Sequence, residues 1–398
     1  MKIFVLTPIY ATTTTMQGVT PLVHYFTKEW AALGHEVHVF HLIAQYPRIY
    51  YAIAKRFQHQ LNTRLGQVVP TEMTKQYEAQ YDGVMVHGFP IRKIVPHGRY
   101  RKSQLNKALN FIIQKCDKIG EPDVFVGHWD NPQLELLNLL KSKYNKRVAL
   151  VLHNNDFHLE NTYGEDAKKL LADIDLLGFR SVGAKRKYEE IYGTTMNSFM
   201  AFSGVSSEFI EAGEQLVTFD RPIDSYIFTG GLISRKHPKA VVESLKKAYG
   251  DDYFKVVYVG NGAEQAIIES ENQELIKNGQ VVFAGRIPRE EVIKWLKEAQ
   301  VFVMISEREV FGLVYLEAMA IGLIPIGARG EGIDGIIVDG ENGFLCKAGD
   351  EEELKAIISK LRGLSRDELE RISHNARQTA LSYSDREVAK SYLNSISK

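Results

Sequence analysis

Short runs of Val, Ile and Phe alternate with amphipathic helical stretches through most of the sequence. That alternation is the pattern of parallel sheets with helical crossovers. The amino-terminal half begins with a strand over residues 3–7, a helix over 19–33 ended by Gly34, and a strand over 36–43. Apolar runs predict further strands at 84–89, 123–127 and 147–152, and helical periodicity predicts helices at 103–118 and 132–144. These elements make one doubly wound domain. Residues 206–222 carry mixed charges and no sustained apolar period, after which the alternation restarts at 226–229. Strands over 255–259, 281–284, 301–305 and 323–326, each followed by a Gly or a helix, make a second doubly wound domain. The last stretch, 384–397, reads as a helix after a polar break.

Length agrees with this division. At 398 residues the chain exceeds the size at which one core usually stops growing. A formal net charge of zero argues against a nucleic-acid binder held by bulk attraction. The charge is uneven, however: residues 1–205 hold 25 Lys or Arg against 18 Asp or Glu, and the remainder holds 24 against 31. Two cysteines, Cys116 and Cys346, are too few for a disulfide framework and too far apart for a metal cluster, so a reducing compartment is expected and both read as packing residues. The opening MKIFVLTPIY is cut at Thr7 and Pro8 and lacks a small-residue cleavage site, so it reads as a first strand. No apolar run approaches the roughly 20 residues that span a bilayer, which leaves only peripheral membrane contact.

The densest chemistry lies in SEREVFGLVYLEAMAIG, residues 306–322. Phe311 and Gly312 open a helical pattern of Leu313, Leu316, Met319 and Ala320, directly after the 301–305 strand. Amides at such a helix start are unpaired and sit at the positive end of the helix dipole, which suits a phosphate. Glu309 and Glu317 flank it, and ionised carboxylates accept hydrogen bonds that sugar hydroxyls donate. Phosphate and hydroxyls together describe a nucleotide sugar. The segment resembles the signature of retaining glycosyltransferase family 4, the group 1 glycosyl transferases of the GT-B fold. The resemblance implies an α/β chain of two doubly wound, Rossmann-like domains facing across a cleft. The first takes residues 1–205 and the terminal helix 384–398, and holds the acceptor; the second, 206–383, holds the donor. It assigns Glu317 to the ribose, Glu309 to the donor sugar, and the loop at Phe311 with the Gly312 and Leu313 amides to the diphosphate.

Other motifs fit that frame. TGGLISRKHPKA, residues 229–240, follows a strand and precedes a helix, and Lys236 matches the family's leaving-group lysine. The family's partner Arg is Gly231 here. Arg235 is the candidate substitute, although on a helix its side chain should point away from that of Lys236. VVYVGNGAE, residues 256–264, is a strand and Gly-x-Gly turn that the resemblance puts near the nucleotide, and AGRIP, residues 284–288, resembles the loop that reads the base through main chain at Arg286 and Ile287. UDP is the family's commonest nucleotide. GARGEGIDG, residues 327–335, resembles the glycine loop beside the donor sugar, with amides such as that of Gly330 expected to hold sugar hydroxyls and with Gly335 in place of a frequent Glu.

In the first domain His128 and His153 end two strands at the sheet's carboxyl edge, where the family has histidines near the reacting sugar and the acceptor. His24, His35, His38, His41 and His59 read as surface or packing residues. The acceptor, a carbohydrate or a lipid-linked molecule, is assigned to variable loops at 11–18, including Gly18, and at 44–80. Asp173 and Asp175 form an Asp-x-Asp that reads as structural, and Lys236 with loop amides already neutralises the diphosphate, so no metal and no other cofactor is expected. The stretch 91–107 has Arg92, Lys93, Arg99, Arg101, Lys102 and Lys107 and no acid, and 48–57 mixes aromatics with Arg48, Lys55 and Arg56. It is either a solvated basic face or a surface for anionic lipid. The expectation is a retaining glycosyltransferase, cytoplasmic and peripheral at the inner membrane face, serving cell-surface polysaccharide or glycolipid assembly. Its rivals are an epimerase or phosphorylase of the same fold and a silent nucleotide-sugar-binding partner protein.

Overall fold

The computed structural model describes residues 1–11, 21–58, 71–93, 98–153, 157 and 159–398. The described chain divides into two compact units. The first comprises 1–180, 184–202 and 386–398, and the second 181–183 and 203–385.

The sheet of the first unit has eight strands: β1 (Lys2–Thr7), β2 (Glu36–Gln45), β3 (Tyr77–Tyr81), β4 (Val84–Arg92), β5 (Val124–His128), β6 (Arg147–Leu152), β7 (Leu176–Phe179) and β8 (Ser198–Met200). Their order is β3-β4-β2-β1-β5-β6-β7-β8. Every pairing is parallel except β3 with β4, a hairpin closed at Asp82 and Gly83 with φ of 46° and 79°. Left-handed residues at both turn positions match the right-handed twist of the strands, which is why Asp-Gly serves there. The neighbours of β1 are β2 and β5, reached in opposite directions along the sheet, so the strand order reverses beside β1.

The first helix, Leu22–Ala32, begins after Pro21, and the start expected at 19 falls outside the described residues. The helix expected from 132 runs Gln133–Tyr144, with Pro132 just outside it. From Arg386 onward the terminal helix Asp385–Ser397 belongs to the first unit. There the Trp30 indole donates to the Ala389 carbonyl at 2.9 Å, and Tyr392 is wholly buried against Phe26, Trp30 and Phe199.

In the second unit β9 (Ser225–Thr229), β10 (Lys255–Val259), β11 (Val281–Gly285), β12 (Val301–Val303), β13 (Ile324–Ala328) and β14 (Phe344–Cys346) form a parallel sheet in the order β11-β10-β9-β12-β13-β14. β12 and β13 are buried throughout because helices cover both faces, so they read as unbroken apolar runs. Two long helices close the unit. Glu351–Arg362 is capped by the Asp350 carboxylate, and Arg366–Ser382 by a reciprocal Ser365–Glu368 box.

Candidate active site

In the second unit the strand order reverses between β9 and β12, and ligands of open α/β sheets bind where the carboxyl ends part in this way. The β9 edge is built on backbone packing. Gly230 N–H donates to Val259 O at 2.8 Å, Leu232 N–H to Asn261 O at 3.0 Å, and Gly260 N–H to Gly285 O at 2.8 Å. A Cβ on Gly260 would stand 2.0 Å from Gly230 O, and one on Gly262 would stand 2.2 Å from Leu232 O. The Gly-x-Gly turn therefore lets three strand ends lie against one another. Gly231 carries no such constraint, since nothing comes nearer a Cβ there than Asn261 O at 3.9 Å.

After that edge the chain makes a single 3₁₀ turn, Ser234–Lys236, ended by left-handed His237, and only then the helix Pro238–Tyr249. The turn sends Lys236 across the point of reversal to Glu309, which follows β12, with Nζ 3.1 Å from the carboxylate. The same ammonium lies 3.5 Å from Met304 Sδ. Arg235 also approaches Glu309, at 3.6 Å, and its Nη1 donates to the Glu307 carbonyl at 3.4 Å. This corrects the expectation that Arg235 points away from Lys236. That expectation assumed an α-helix, whereas a short turn leaves two long side chains free to converge on one acid.

Beyond Glu309, Gly312 takes φ of 79° and begins the helix Leu313–Ile321 with no side chain capping it. A Cβ on Gly312 would also stand 2.6 Å from the Tyr315 ring, so this position excludes other residues twice over. The first helical amides, Leu313 among them, have no partner within the helix. Phe311 is buried, with its backbone against Gly332, where a Cβ would come within 2.5 Å of Phe311 N. Its ring is therefore part of the packing that holds the loop. One helical turn on, Glu317 is 5% exposed and accepts a hydrogen bond from Arg289 at the start of the helix Arg289–Glu298. Burial pushes the Glu317 carboxyl above its ordinary range, and Arg289 draws part of that back.

Two supports were not visible in the sequence. Arg289, itself lying over the Phe209 ring, fixes Glu317. Glu331 accepts from the Glu309 backbone N–H at 2.9 Å, beside Arg308 in a left-handed conformation at φ of 52°. Both act through tertiary contacts that no local pattern announces. The Gly330 amide, expected to be open to a sugar hydroxyl, donates instead to the Asp334 carboxylate at 2.5 Å. Gly335 has φ of 94°, which suits glycine rather than the Glu frequent in the family pattern. Arg286 is exposed and Ile287 half-buried, in the loop directly after β11.

In the first unit His128 ends β5 and lies next to His153 beyond β6, with Nδ1 3.0 Å from Nε2. The Tyr392 hydroxyl approaches the other His128 nitrogen at 3.3 Å, and Trp129 stacks on His153 with ring centroids 3.8 Å apart. His128 is wholly buried, so it cannot meet an acceptor directly, contrary to expectation; His153 is half-buried. Burial holds the His128 imidazole down to about 3, helped by the Arg180 charge, and holds His153 well below its ordinary value. The pair is neutral at ordinary pH. Gly18 and His59 lie outside the described residues.

The remaining candidates pack. Asp175 binds Lys141 at 2.5 Å and accepts from Val148 N–H at 2.9 Å, which gives the Asp-x-Asp a structural task. Cys116 and Cys346 are buried and free. Arg99 is held by Glu135 and Asp166 at 2.8 and 2.9 Å. Among the described residues no three His, Cys, Asp or Glu are grouped to hold a metal, and no helix is long and apolar enough to cross a membrane.

Known proteins resemble this chain in sequence over part of its length and in fold over all of it. Residues 222–379 match the family model for glycosyl transferases group 1. N-acetyl-alpha-D-glucosaminyl L-malate synthase of Bacillus anthracis is 36% identical over 115 residues, covering 29% of this chain and 30% of that protein. Capsular polysaccharide biosynthesis glycosyltransferase CapM of Staphylococcus aureus is 31% identical over 155 residues, covering 38% and 40%. The chain thus matches well under half the length of these curated relatives. Over its whole length it superposes on Anabaena HepE in complex with UDP, with a TM-score of 0.67, 14% identity and 100% of each chain covered. The fold is therefore GT-B, and residues 222–379 are similar to the glycosyl transferases group 1.

Proposed function

We propose that the protein is a retaining, metal-independent glycosyltransferase that moves a sugar from a nucleoside diphosphate donor, UDP-linked by preference, to an acceptor hydroxyl. The observation that carries this reading is the Lys236–Glu309 pair at the reversal of strand order, beside an uncapped helix start and the buried Glu317. In this reading the Gly312 and Leu313 amides, Lys236 and Arg235 take the diphosphate, and Glu309 accepts from donor-sugar hydroxyls. Glu317 accepts from the ribose hydroxyls, with main chain at Arg286 and Ile287 beside the base. The UDP bound to HepE supports the choice of nucleotide.

The bond that breaks joins the anomeric carbon to the diphosphate oxygen, which leaves with the electron pair. The acceptor oxygen bonds to the same face of that carbon, and its proton passes to the departing phosphate. No side-chain nucleophile is required. Catalysis then consists of neutralising leaving-group charge and positioning both substrates. On the acceptor side we assign His153 the contact and His128 its orientation. The name of CapM supports polysaccharide assembly as the setting, and a carbohydrate or lipid-linked acceptor belongs to the same reading.

Incubation with UDP-, GDP- and ADP-sugars and a panel of acceptors, without divalent metal, tests the reading. The expected products are free nucleoside diphosphate and a glycoside whose anomeric configuration, read by NMR, matches the donor's. Epimerised donor or phosphorolysis without transfer would replace the reading with another reaction of the same fold. Activity abolished by a chelator and restored by manganese would remove its metal independence. Gly231 in place of the family Arg favours one second reading, a silent nucleotide-sugar-binding protein, and donor binding without turnover would select it.

A further inference from the structure

The helix Arg48–Arg56 follows the last residue of β2 after a two-residue turn and buries one face through Tyr51 and Ala54. The Tyr51 hydroxyl anchors that face by accepting from Tyr46 N–H at 3.1 Å. The opposite face is apolar and open. Ile49 is 70% exposed, Ile53 one turn later 52%, and Phe57 after the next turn 44%. Positions i, i+4 and i+8 lie in one row along a helix, so these side chains form a continuous stripe. Exposed apolar residues are ordinary when scattered singly; three in one row make a contiguous apolar patch.

The surroundings say what fits that patch. Arg48, Lys55 and Arg56 are exposed around the stripe, with the Arg56 guanidinium 5.6 Å from the Phe57 ring centroid. No Asp or Glu occurs between residues 37 and 71, nor between 83 and 116. β2 and β4 run in register as far as Gln45 and Arg92, and Lys93 N–H donates to Gln45 O at 2.8 Å. The basic stretch therefore leaves the sheet at the same edge as the helix. Arg92, Arg101 and Lys102 are exposed, whereas Arg99 is spent on Glu135 and Asp166.

We propose that this edge of the first unit docks on an anionic lipid bilayer, with Ile49, Ile53 and Phe57 entering the boundary between headgroups and acyl chains. Arg48, Lys55, Arg56 and Arg92 then lie among lipid phosphates. An apolar row flanked by cations and free of acids is the composition of an in-plane membrane helix. A second copy of the same face is disfavoured, because a two-fold contact would set cations against cations. A nucleic acid would leave the apolar row unmatched. The surface is independent of the transfer reaction, since lipid binding is measured with no donor present.

Flotation of the full chain with vesicles tests it, comparing phosphatidylcholine alone with phosphatidylcholine containing phosphatidylglycerol. The expected result is binding to the anionic vesicles that weakens with added salt. Binding should fall about tenfold or more in Ile49→Ser/Ile53→Ser, and by a similar factor in Arg48→Gln/Lys55→Gln/Arg56→Gln. All five side chains are exposed, and unchanged circular dichroism and melting confirm that the variants fold. Three results overturn the proposal: wild-type protein that ignores anionic vesicles, variants that float like wild type, and isoleucine substitutions that only turn a dimer into a monomer in sedimentation.

Discussion

Lys236 Nζ stands 3.1 Å from the Glu309 carboxylate, joining the loop after β9 to the loop after β12, with the two side chains only 14% and 16% exposed. Each charge holds the other in place within a shell that water barely reaches. A bound diphosphate would give the ammonium a second acid to neutralise, at the point where strand order reverses. In the proposed reaction, charge neutralisation would depend on donors already in position, as Lys236 is in this pair.

Lys236→Ala should therefore lower turnover about a hundredfold or more, the usual scale for a lost transition-state charge contact. Steady-state kinetics would show most of the loss in kcat. A variant within about threefold of wild type would deny Lys236 its role.

Arg235 shares the Glu309 carboxylate at 3.6 Å, while a side chain at Gly231 would meet nothing nearer than 3.9 Å. Arg235→Ala should cost about tenfold in turnover, and adding Gly231→Arg to that variant should restore most of it. Wild-type rates in Arg235→Ala would show that the second cation is not needed. Gly262→Ala is the contrasting substitution, because its Cβ would stand 2.2 Å from Leu232 O and should destabilise the unit by about 2 kcal/mol or more.

Burial lowers several imidazoles of the first unit, His41 and His87 to about 4 and His128 to about 3. These rings are neutral in the fold, whereas the unfolded chain protonates them once the pH falls below about 6.5. Their stabilisation is complete above that pH and declines toward 4, by roughly 1.4 kcal/mol per pH unit for each ring. Urea unfolding across this range should show stability falling as pH falls, with a shallower slope in His41→Asn. A midpoint that ignores pH would contradict the buried neutral state.

Legibility in the sequence followed the range of the interactions. Glu309, Gly312 and Glu317 stand on one strand-turn-helix passage whose spacing is local, and that passage was readable. Arg289 and Glu331, which hold those glutamates, reach them from separate elements, and no periodicity marks such a contact. His128 looked open at the end of its strand because Tyr392, which covers it, lies 264 residues away in the chain. β7, β8 and β14 have only three or four residues each, too short to show a period. The β3–β4 hairpin carries a local signal, Asp82-Gly83 directly after the alternating Tyr77–Tyr81.

Calorimetric titration tests most directly whether the second unit holds a nucleoside diphosphate site. UDP, GDP and ADP would be titrated, without divalent metal, into wild type, Glu317→Ala and Arg289→Ala. The predicted result is saturable binding of one nucleotide, UDP, weakened about tenfold or more when Glu317 is removed and also weakened when Arg289 no longer holds it. Binding of none of the three, or binding undiminished in Glu317→Ala, would contradict the account.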